Sequence, residues 1–131
     1  MDERTFTLAE AKQLLPQLEE QLCAVKKDKD VLLHSQKEIK RASANAQANG
    51  GSIAGPRYIR ALERISDSVE AIQEMGVLVK DLDVGLCDFP YRLGDRVVHL
   101  CWKLGEQEIG YWHEIEDGYA GRKPLETLTE D

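Results

Sequence analysis

The first third of the chain carries the hydrophobic pattern of one long helix. Thr7 to Glu10 has the form of a capping box, in which each of the two end residues covers a free amide of the other. After it, apolar residues recur at alternating spacings of three and four, which predicts a heptad seam along one helix face. The seam positions are Leu8, Ala11, Leu15, Leu18, Leu22, Val25, Lys29, Leu32, Gln36 and Ile39. Because the seam turns polar at Lys29, we expect the far half of the helix to project into water.

A second helical seam follows a stretch of small and polar residues. Residues 42–56 are rich in alanine, serine and glycine, and we expect them to form a flexible loop. Pro56 suits the start of the next helix, and Gly76 suits its C-terminal cap. The apolar positions between them are Tyr58, Leu62, Ile65, Val69 and Ile72. Two long helices joined by a loop predict an antiparallel helical hairpin over residues 1–76.

Beyond Gly76 the helical spacing gives way to short β-rich segments. We predict strands at residues 85–89, 96–102 and 108–113, with the first of them ended by Pro90. The segment 77–79 is a further short β-branched candidate, and the tail from residue 114 onward is expected to be mostly loop. The predicted fold class is therefore α+β: a long antiparallel helical hairpin followed by a small antiparallel β-sheet of three to four strands. We expect residues 1–131 to form a single domain, with the β unit and tail at 77–131.

Charge and composition narrow the classes of partner. The chain of 131 residues has a formal net charge of -7 and a pI of about 5.0. Phosphate backbones and anionic lipids repel such a surface, so we expect no nucleic-acid partner and no membrane partner. The chain has no apolar run of the roughly 18 residues that span a bilayer, and its charged opening at residues 1–4 leads us to expect no signal peptide. Three cysteines without a C-x-x-C pair indicate free thiols in a reducing cytoplasm.

Several uncommon strings resemble one known family. They are KDLDVGLCDFP from Lys80 to Pro90, LCWKLGE from Leu100 to Glu106, IGYWH from Ile109 to His113, and GYAGRKPL from Gly118 to Leu125. Together with FTLAEA at the start of the chain, they are similar to the family known as domain of unknown function 2203. The resemblance covers nearly the whole chain. Since that family is prokaryotic and uncharacterised, it implies a bacterial cytoplasmic protein and assigns no catalytic residue.

The densest group of metal-binding residue types lies near the end of the predicted sheet. His99, Cys101 and His113 offer imidazole and thiolate, the usual ligands of zinc and similar divalent metals. Strand alternation puts His99 and Cys101 on one face, and a three-residue loop would set His99 opposite His113 and Cys101 opposite Tyr111. A two-residue loop would instead set Trp112 opposite His99 and weaken the site. The structural alternative makes Cys101 a small core residue and leaves the histidines at a polar rim.

Other side chains of the β unit are candidates for binding a small ligand: Asp88, Glu106, Trp112 and Arg122. For Asp88, turn formation or strand termination is the simpler explanation. Arg122 could reach an anion, or it could pair with Asp88 or Glu106 within the protein. Tyr111 and Trp112 are consecutive in a strand and therefore face opposite sides, one of them toward the core.

Three functional hypotheses follow from these features. The first is a non-enzymatic interaction or structural protein that self-associates through its helices. In this hypothesis a homodimer completes a four-helix bundle from two hairpins. The second is a metal- or small-ligand-binding module with its site in the β unit. The chain contains no nucleophile elbow, P-loop, dinucleotide fingerprint or H-E-x-x-H string, so a hydrolytic or redox enzyme that uses the metal is only the third and least favoured hypothesis.

Overall fold

The computed structural model describes residues 4–44 and 54–128. Two helices come first: α1 spans Leu8–Ala44 and α2 spans Ala54–Glu74. Five strands follow in the described residues, and they form one antiparallel sheet in sequence order. They are β1 (Leu78–Asp81), β2 (Leu86–Leu93), β3 (Arg96–Lys103), β4 (Tyr111–His113) and β5 (Lys123–Pro124). The predicted α+β class is confirmed, although the sheet has five strands rather than three to four.

The helix termini follow from local sequence signals. At the start of α1, the Glu10 amide donates to the Thr7 hydroxyl over 3.1 Å, and the Thr7 amide donates to the Glu10 carboxylate over 2.8 Å. The capping box is therefore confirmed. Past the end of α2, Gly76 has a φ of 88°, a conformation that glycine adopts without strain. The predicted loop at 42–56 is helical at both of its described ends, and its middle lies outside the described residues.

The two helices pack side by side as an antiparallel pair. Asp28 in the middle of α1 accepts a hydrogen bond of 2.8 Å from Arg64, and Ile72 near the end of α2 lies in one hydrophobic cluster with Leu18 and Leu22. Within the described part of the chain, neither helix has a stretch long and apolar enough to cross a membrane.

The buried seam of α1 differs from the predicted heptad in its far half. Up to Val25 the predicted positions are buried or half-buried, but Lys29 and Gln36 are exposed. The buried positions there are Asp28 and Ser35, at 8% and 4% exposure. A straight α-helix has 3.6 residues per turn, so its buried face drifts away from a strict seven-residue repeat. The far half of α1 therefore has a buried face, on which Asp28 contacts Arg64 of α2, and the expectation that this half projects into water holds only for its other faces.

One face of the sheet packs against the helices and is here called the core face. Its buried side chains are Cys87, Phe89, Val98, Leu100, Trp102 and Trp112, and they share a cluster with α1 and α2. Pro90 lies inside β2, so the expectation that it ends the strand is wrong. Its carbonyl accepts from the Phe6 amide over 2.7 Å. This bond lies on the outer edge of β2, beyond the residues 86–88 that pair with β1. A missing amide proton is tolerated on such an edge.

The remaining turns fix which residues are neighbours on the sheet. Gly94, with a φ of 65°, and Asp95 form the two-residue connection between β2 and β3. Between β3 and β4 the register sets His99 opposite His113 and Cys101 opposite Tyr111. This is the register expected for the three-residue loop. The strand predicted at 108–113 is shorter in the structure, because β4 begins only at Tyr111. The tail beyond β4 contains β5 and two 3₁₀ turns, Tyr119–Gly121 and Leu125–Thr127.

Candidate metal centre

Three adjacent strands bring four polar side chains together on the sheet face opposite the core face, here called the outer face. Asp88 of β2 lies opposite Cys101 of β3, and His99 of β3 lies opposite His113 of β4. All four are buried, with exposures of 1% for Asp88, 4% for His99, 0% for Cys101 and 1% for His113. Polar groups at this depth are costly unless they are paired, so their partners determine what the cluster does.

The Asp88 carboxylate bridges the two histidines. Its Oδ2 lies 3.2 Å from His99 Nδ1, and its Oδ1 lies 3.0 Å from His113 Nε2. Burial alone would raise the pKa of Asp88, but the hydrogen bonds to His99 and His113 outweigh burial and hold this pKa below the ordinary value of 3.8. Asp88 is therefore an ionised, buried carboxylate at neutral pH.

His113 is oriented by the backbone. Its Nδ1 lies 2.8 Å from the carbonyl oxygen of Glu114, which can only accept, so Nδ1 carries a proton and donates it. The other nitrogen, Nε2, is thereby aimed at Asp88. When Nε2 is also protonated, the imidazolium donates to both acceptors; when it is not, its lone pair faces the cluster. Metal-binding histidines commonly have their second nitrogen fixed by this kind of backbone hydrogen bond.

Cys101 completes the cluster from the middle strand. Its Sγ, one oxygen of Asp88 and one nitrogen of His113 all lie within 4.8 Å of one another. Burial and, after it, the negative charge of Asp88 raise the pKa of the Cys101 thiol to about 11. The Arg122 guanidinium, 4.0 Å from Sγ, acts in the opposite direction. Without a cation beside it, Cys101 is therefore a protonated thiol at neutral pH.

The three donor types fit a divalent metal of the zinc class. Zinc takes thiolate, imidazole and carboxylate ligands at about 2.0–2.3 Å, which separates ligand atoms by about 3.5 Å. The present separations of up to 4.8 Å would contract by about 1 Å around such an ion. The predicted metal set was His99, Cys101 and His113. The structure brings all three to one face, but Asp88 replaces His99 beside Cys101 and His113.

Glu106 and Arg122 form a second cluster at the Cys101 end of the outer face. Arg122 donates to both carboxylate oxygens of Glu106, over 2.9 and 3.3 Å. Its guanidinium also lies 3.8 Å from the ring centre of Tyr111 and 4.4 Å from that of Tyr119. Of the alternatives open for Arg122, the structure shows the internal pair with Glu106. Both charges are thereby matched, and no anion is needed to balance Arg122.

Trp112 belongs to the other side of the sheet. It is 6% exposed in the hydrophobic core, and its indole nitrogen donates to the Thr127 hydroxyl over 3.0 Å. It therefore does not join Asp88, Glu106 and Arg122 in a common ligand site. Glu108, which lies in the same stretch of sequence, is exposed.

Asp88 has a different role from the turn or strand end that its sequence context predicts. It lies inside β2 and forms the centre of the cluster. A usable signal was present: a two-residue turn at Gly94 and Asp95 pairs residues whose numbers add to 189, which sets Asp88 opposite Cys101. The nearby Asp81, by contrast, forms a turn, since its carboxylate accepts from the amides of Asp83 and Val84.

Fold and cluster together define a class: an α+β protein with a helical hairpin on one face of an antiparallel sheet and a buried Asp-His-His-Cys group on the other. Residues 4–125 match the family model described as "Uncharacterized conserved protein (DUF2203)", and the chain belongs to this family. The resemblance noted in the sequence is thus confirmed. A search of curated proteins gives no match, and neither does a search of solved structures.

Proposed function

We propose that this protein is a divalent-metal-binding module whose protein ligands are Asp88, Cys101 and His113. One observation carries the proposal: three donor atoms of different types lie within 4.8 Å in a buried cluster. The backbone bond from His113 Nδ1 to Glu114 leaves His113 Nε2 as the nitrogen that would bind the ion.

Charge balance supports a doubly charged ion. The carboxylate of Asp88 and a thiolate at Cys101 together carry two negative charges, which one divalent cation neutralises. In the absence of metal, Cys101 keeps its thiol proton. Since the thiol must lose this proton to become a ligand, binding releases a proton and weakens at acid pH.

The burial of the cluster favours a structural role over a catalytic one. Catalytic zinc sites keep an open position for water or substrate, whereas structural sites are closed. The three ligands are at most 1% exposed and come from three neighbouring strands. The bound ion would tie β2, β3 and β4 together. Because Cys101 must stay a free thiol to bind, we propose this role for a protein of the reducing cytoplasm.

The two buried cysteines provide a matched test. Cys87 lies on the core face and Cys101 on the outer face, and both have 0% exposure. We expect purified, untagged protein reconstituted with zinc, manganese or iron to bind one ion per chain. Cys101→Ser should abolish stoichiometric binding in elemental analysis and calorimetry, whereas Cys87→Ser should retain it even if both variants melt at lower temperature. Wild-type protein that binds none of these metals would refute the proposal.

A second role, self-association through the helices, is favoured by a separate observation. On α2, Ile59 is 56% exposed and Leu62 is 44% exposed, beside half-buried Tyr58, Ile65 and Val69. An apolar stripe of this kind is typical of a helix that packs on a further helix. We propose that a second copy of the chain covers it, as in a four-helix bundle. This role is compatible with a metal in the sheet, since the outer face lies across the sheet from the helices.

A further inference from the structure

We infer that residues 114–122, here called the latch, open locally and control access to Cys101. The part of this inference that concerns metal exchange rests on the proposed metal site. The opening itself can be measured on metal-free protein. The latch leaves β4 after His113 and returns to the sheet at β5, where Tyr111 pairs with Pro124.

The latch covers the thiol through one side chain. Arg122 Nη1 lies 4.0 Å from Cys101 Sγ, and the guanidinium stacks on Tyr111, the cross-strand neighbour of Cys101. Tyr119 of the latch packs against the guanidinium as well, 4.4 Å from it. Cys101 has 0% exposure under this cover.

Among the described residues, two ion pairs hold the latch: Glu114 with Arg96 at its start, and Arg122 with Glu106 at its end. The partner of Arg122 is fixed to the sheet. The Glu106 carboxylate accepts from the Lys103 amide over 2.8 Å, and the Glu106 carbonyl accepts from the Trp102 indole over 2.9 Å. Trp102 is itself fully buried in the core. Glu106 therefore stays in place when Arg122 moves away, and the pair between them can break without disturbing the core.

Opening the latch exposes little apolar surface. None of its nine residues is buried, and Ile115 and Tyr119 are already exposed. Segments with few buried contacts open at a small fraction of the free energy of global unfolding. Cys87 provides the contrast: it is buried between the sheet and the helices, within the same cluster as Leu18 and Ile72. Its exposure requires the core itself to open.

Site-resolved thiol labelling tests this inference. Metal-free protein is treated with iodoacetamide, and the labelling rate of each cysteine is read by peptide mass spectrometry. Exposed Cys23 should react first, Cys101 next with little dependence on urea, and Cys87 last with the strong urea dependence of global unfolding. The thiol pKa values of Cys101 and Cys87, about 11 and about 12, favour Cys101 in the same order, so the difference in urea dependence, and not the order alone, carries the test.

A variant of the latch provides the second arm. Arg122→Gln should speed labelling of Cys101 on the order of tenfold, because it removes a charge-assisted double hydrogen bond, and should change Cys87 much less. Arg64→Gln is the matched control, since it breaks an ion pair between the helices and leaves the latch intact. On the zinc-loaded protein, Arg122→Gln should also speed transfer of zinc to a chelator.

Equal rates and equal urea dependence for Cys101 and Cys87 in wild-type protein would overturn the inference, and this result does not depend on how any variant folds. An Arg122→Gln rate at Cys101 equal to that of wild type would overturn it as well. If no metal binds but Cys101 labels by local opening, the latch stands and the metal proposal fails. If metal binds but labelling of Cys101 follows global unfolding, the reverse holds.

Discussion

A single carboxylate sets the chemistry of the outer face. Asp88 has two oxygens and two buried histidines, one on each oxygen, at 3.0 and 3.2 Å. Removing an acceptor oxygen from such a group leaves a buried histidine nitrogen without its hydrogen-bond partner. The same carboxylate raises the pKa of its neighbour Cys101. A substitution at Asp88 should therefore affect stability and metal binding together.

We predict that Asp88→Asn lowers the stability of the metal-free protein by about 3 kcal/mol at neutral pH, because the amide nitrogen cannot accept a hydrogen bond from one of the two buried histidines. The pKa of Asp88 is lowered in the folded state, so its stabilisation is complete above the ordinary value of 3.8 and is lost as the pH falls through the folded-state pKa. Urea unfolding between pH 2 and pH 7, with a chelator present, should show a shallower acid limb for the variant. Asp95→Asn, at an exposed turn, is the control and should leave the limb unchanged.

At the scale of elements, the contact between the helices depends on helix geometry as much as on the apolar pattern. The heptad predicted Lys29 in the seam, but the structure buries its neighbour Asp28 and pairs it with Arg64. Lys29 instead pairs with Asp83 near the solvent, where both side chains are largely exposed. The adjacent residues Asp28 and Lys29 thus belong to two different ion pairs, one in the helix contact and one at the surface.

This adjacency gives a direct comparison of the two seams. We predict that Asp28→Ala costs about 1–2 kcal/mol, because it leaves Arg64 without its partner at a half-covered helix contact. Lys29→Ala should cost less than about 0.5 kcal/mol, since exposed pairs contribute little. Chemical denaturation of both variants measures the difference. A larger loss for Lys29→Ala would mean that the heptad seam, and not the drifted one, packs in solution.

At the scale of the whole molecule, the sheet separates two kinds of interior. Its core face joins the N-terminal Phe6, both helices and the strands in one hydrophobic cluster. Its outer face holds the polar cluster, with the latch at the Cys101 end. The first kind supplies the apolar burial that stabilises the fold, and the second kind carries the proposed metal ligands and the proposed latch. The apolar stripe on α2 is the surface that we propose a second copy covers.

We predict that the protein is a homodimer at tens of micromolar, and that light scattering gives twice the chain mass of 14.8 kDa. Leu62→Glu should yield monomers, because a charge in a packed helix contact is left unpaired. Ile115→Glu is the control, since Ile115 is exposed to 54% but lies outside the helices. A clean monomer mass for the wild-type protein would remove self-association as a role.

Much of the fold could be predicted because it follows from near neighbours in the chain. The capping box at Thr7, the glycine that follows α2 and the alternation along β3 are local, since hydrogen bonds and steric limits between adjacent residues determine them. Strand alternation and turn length also reduce the register between β3 and β4 to two alternatives, of which the structure shows the one with His99 opposite His113. For these reasons the sequence alone indicated an α+β hairpin-and-sheet fold, and two of the three proposed ligands of the metal site, Cys101 and His113.

Only the tertiary structure decided what surrounds each of these residues. It moved the seam of α1 from Lys29 to Asp28, turned Trp112 into the core, paired Arg122 with Glu106 and placed Asp88 between two histidines. These outcomes depend on which strands become neighbours and on how completely water is excluded between them. A carboxylate has the same preferences in any sequence, but its partners and its pKa are set by the groups that folding brings within about 3 Å. That distance is a property of the assembled sheet and is not encoded in the spacing along one strand.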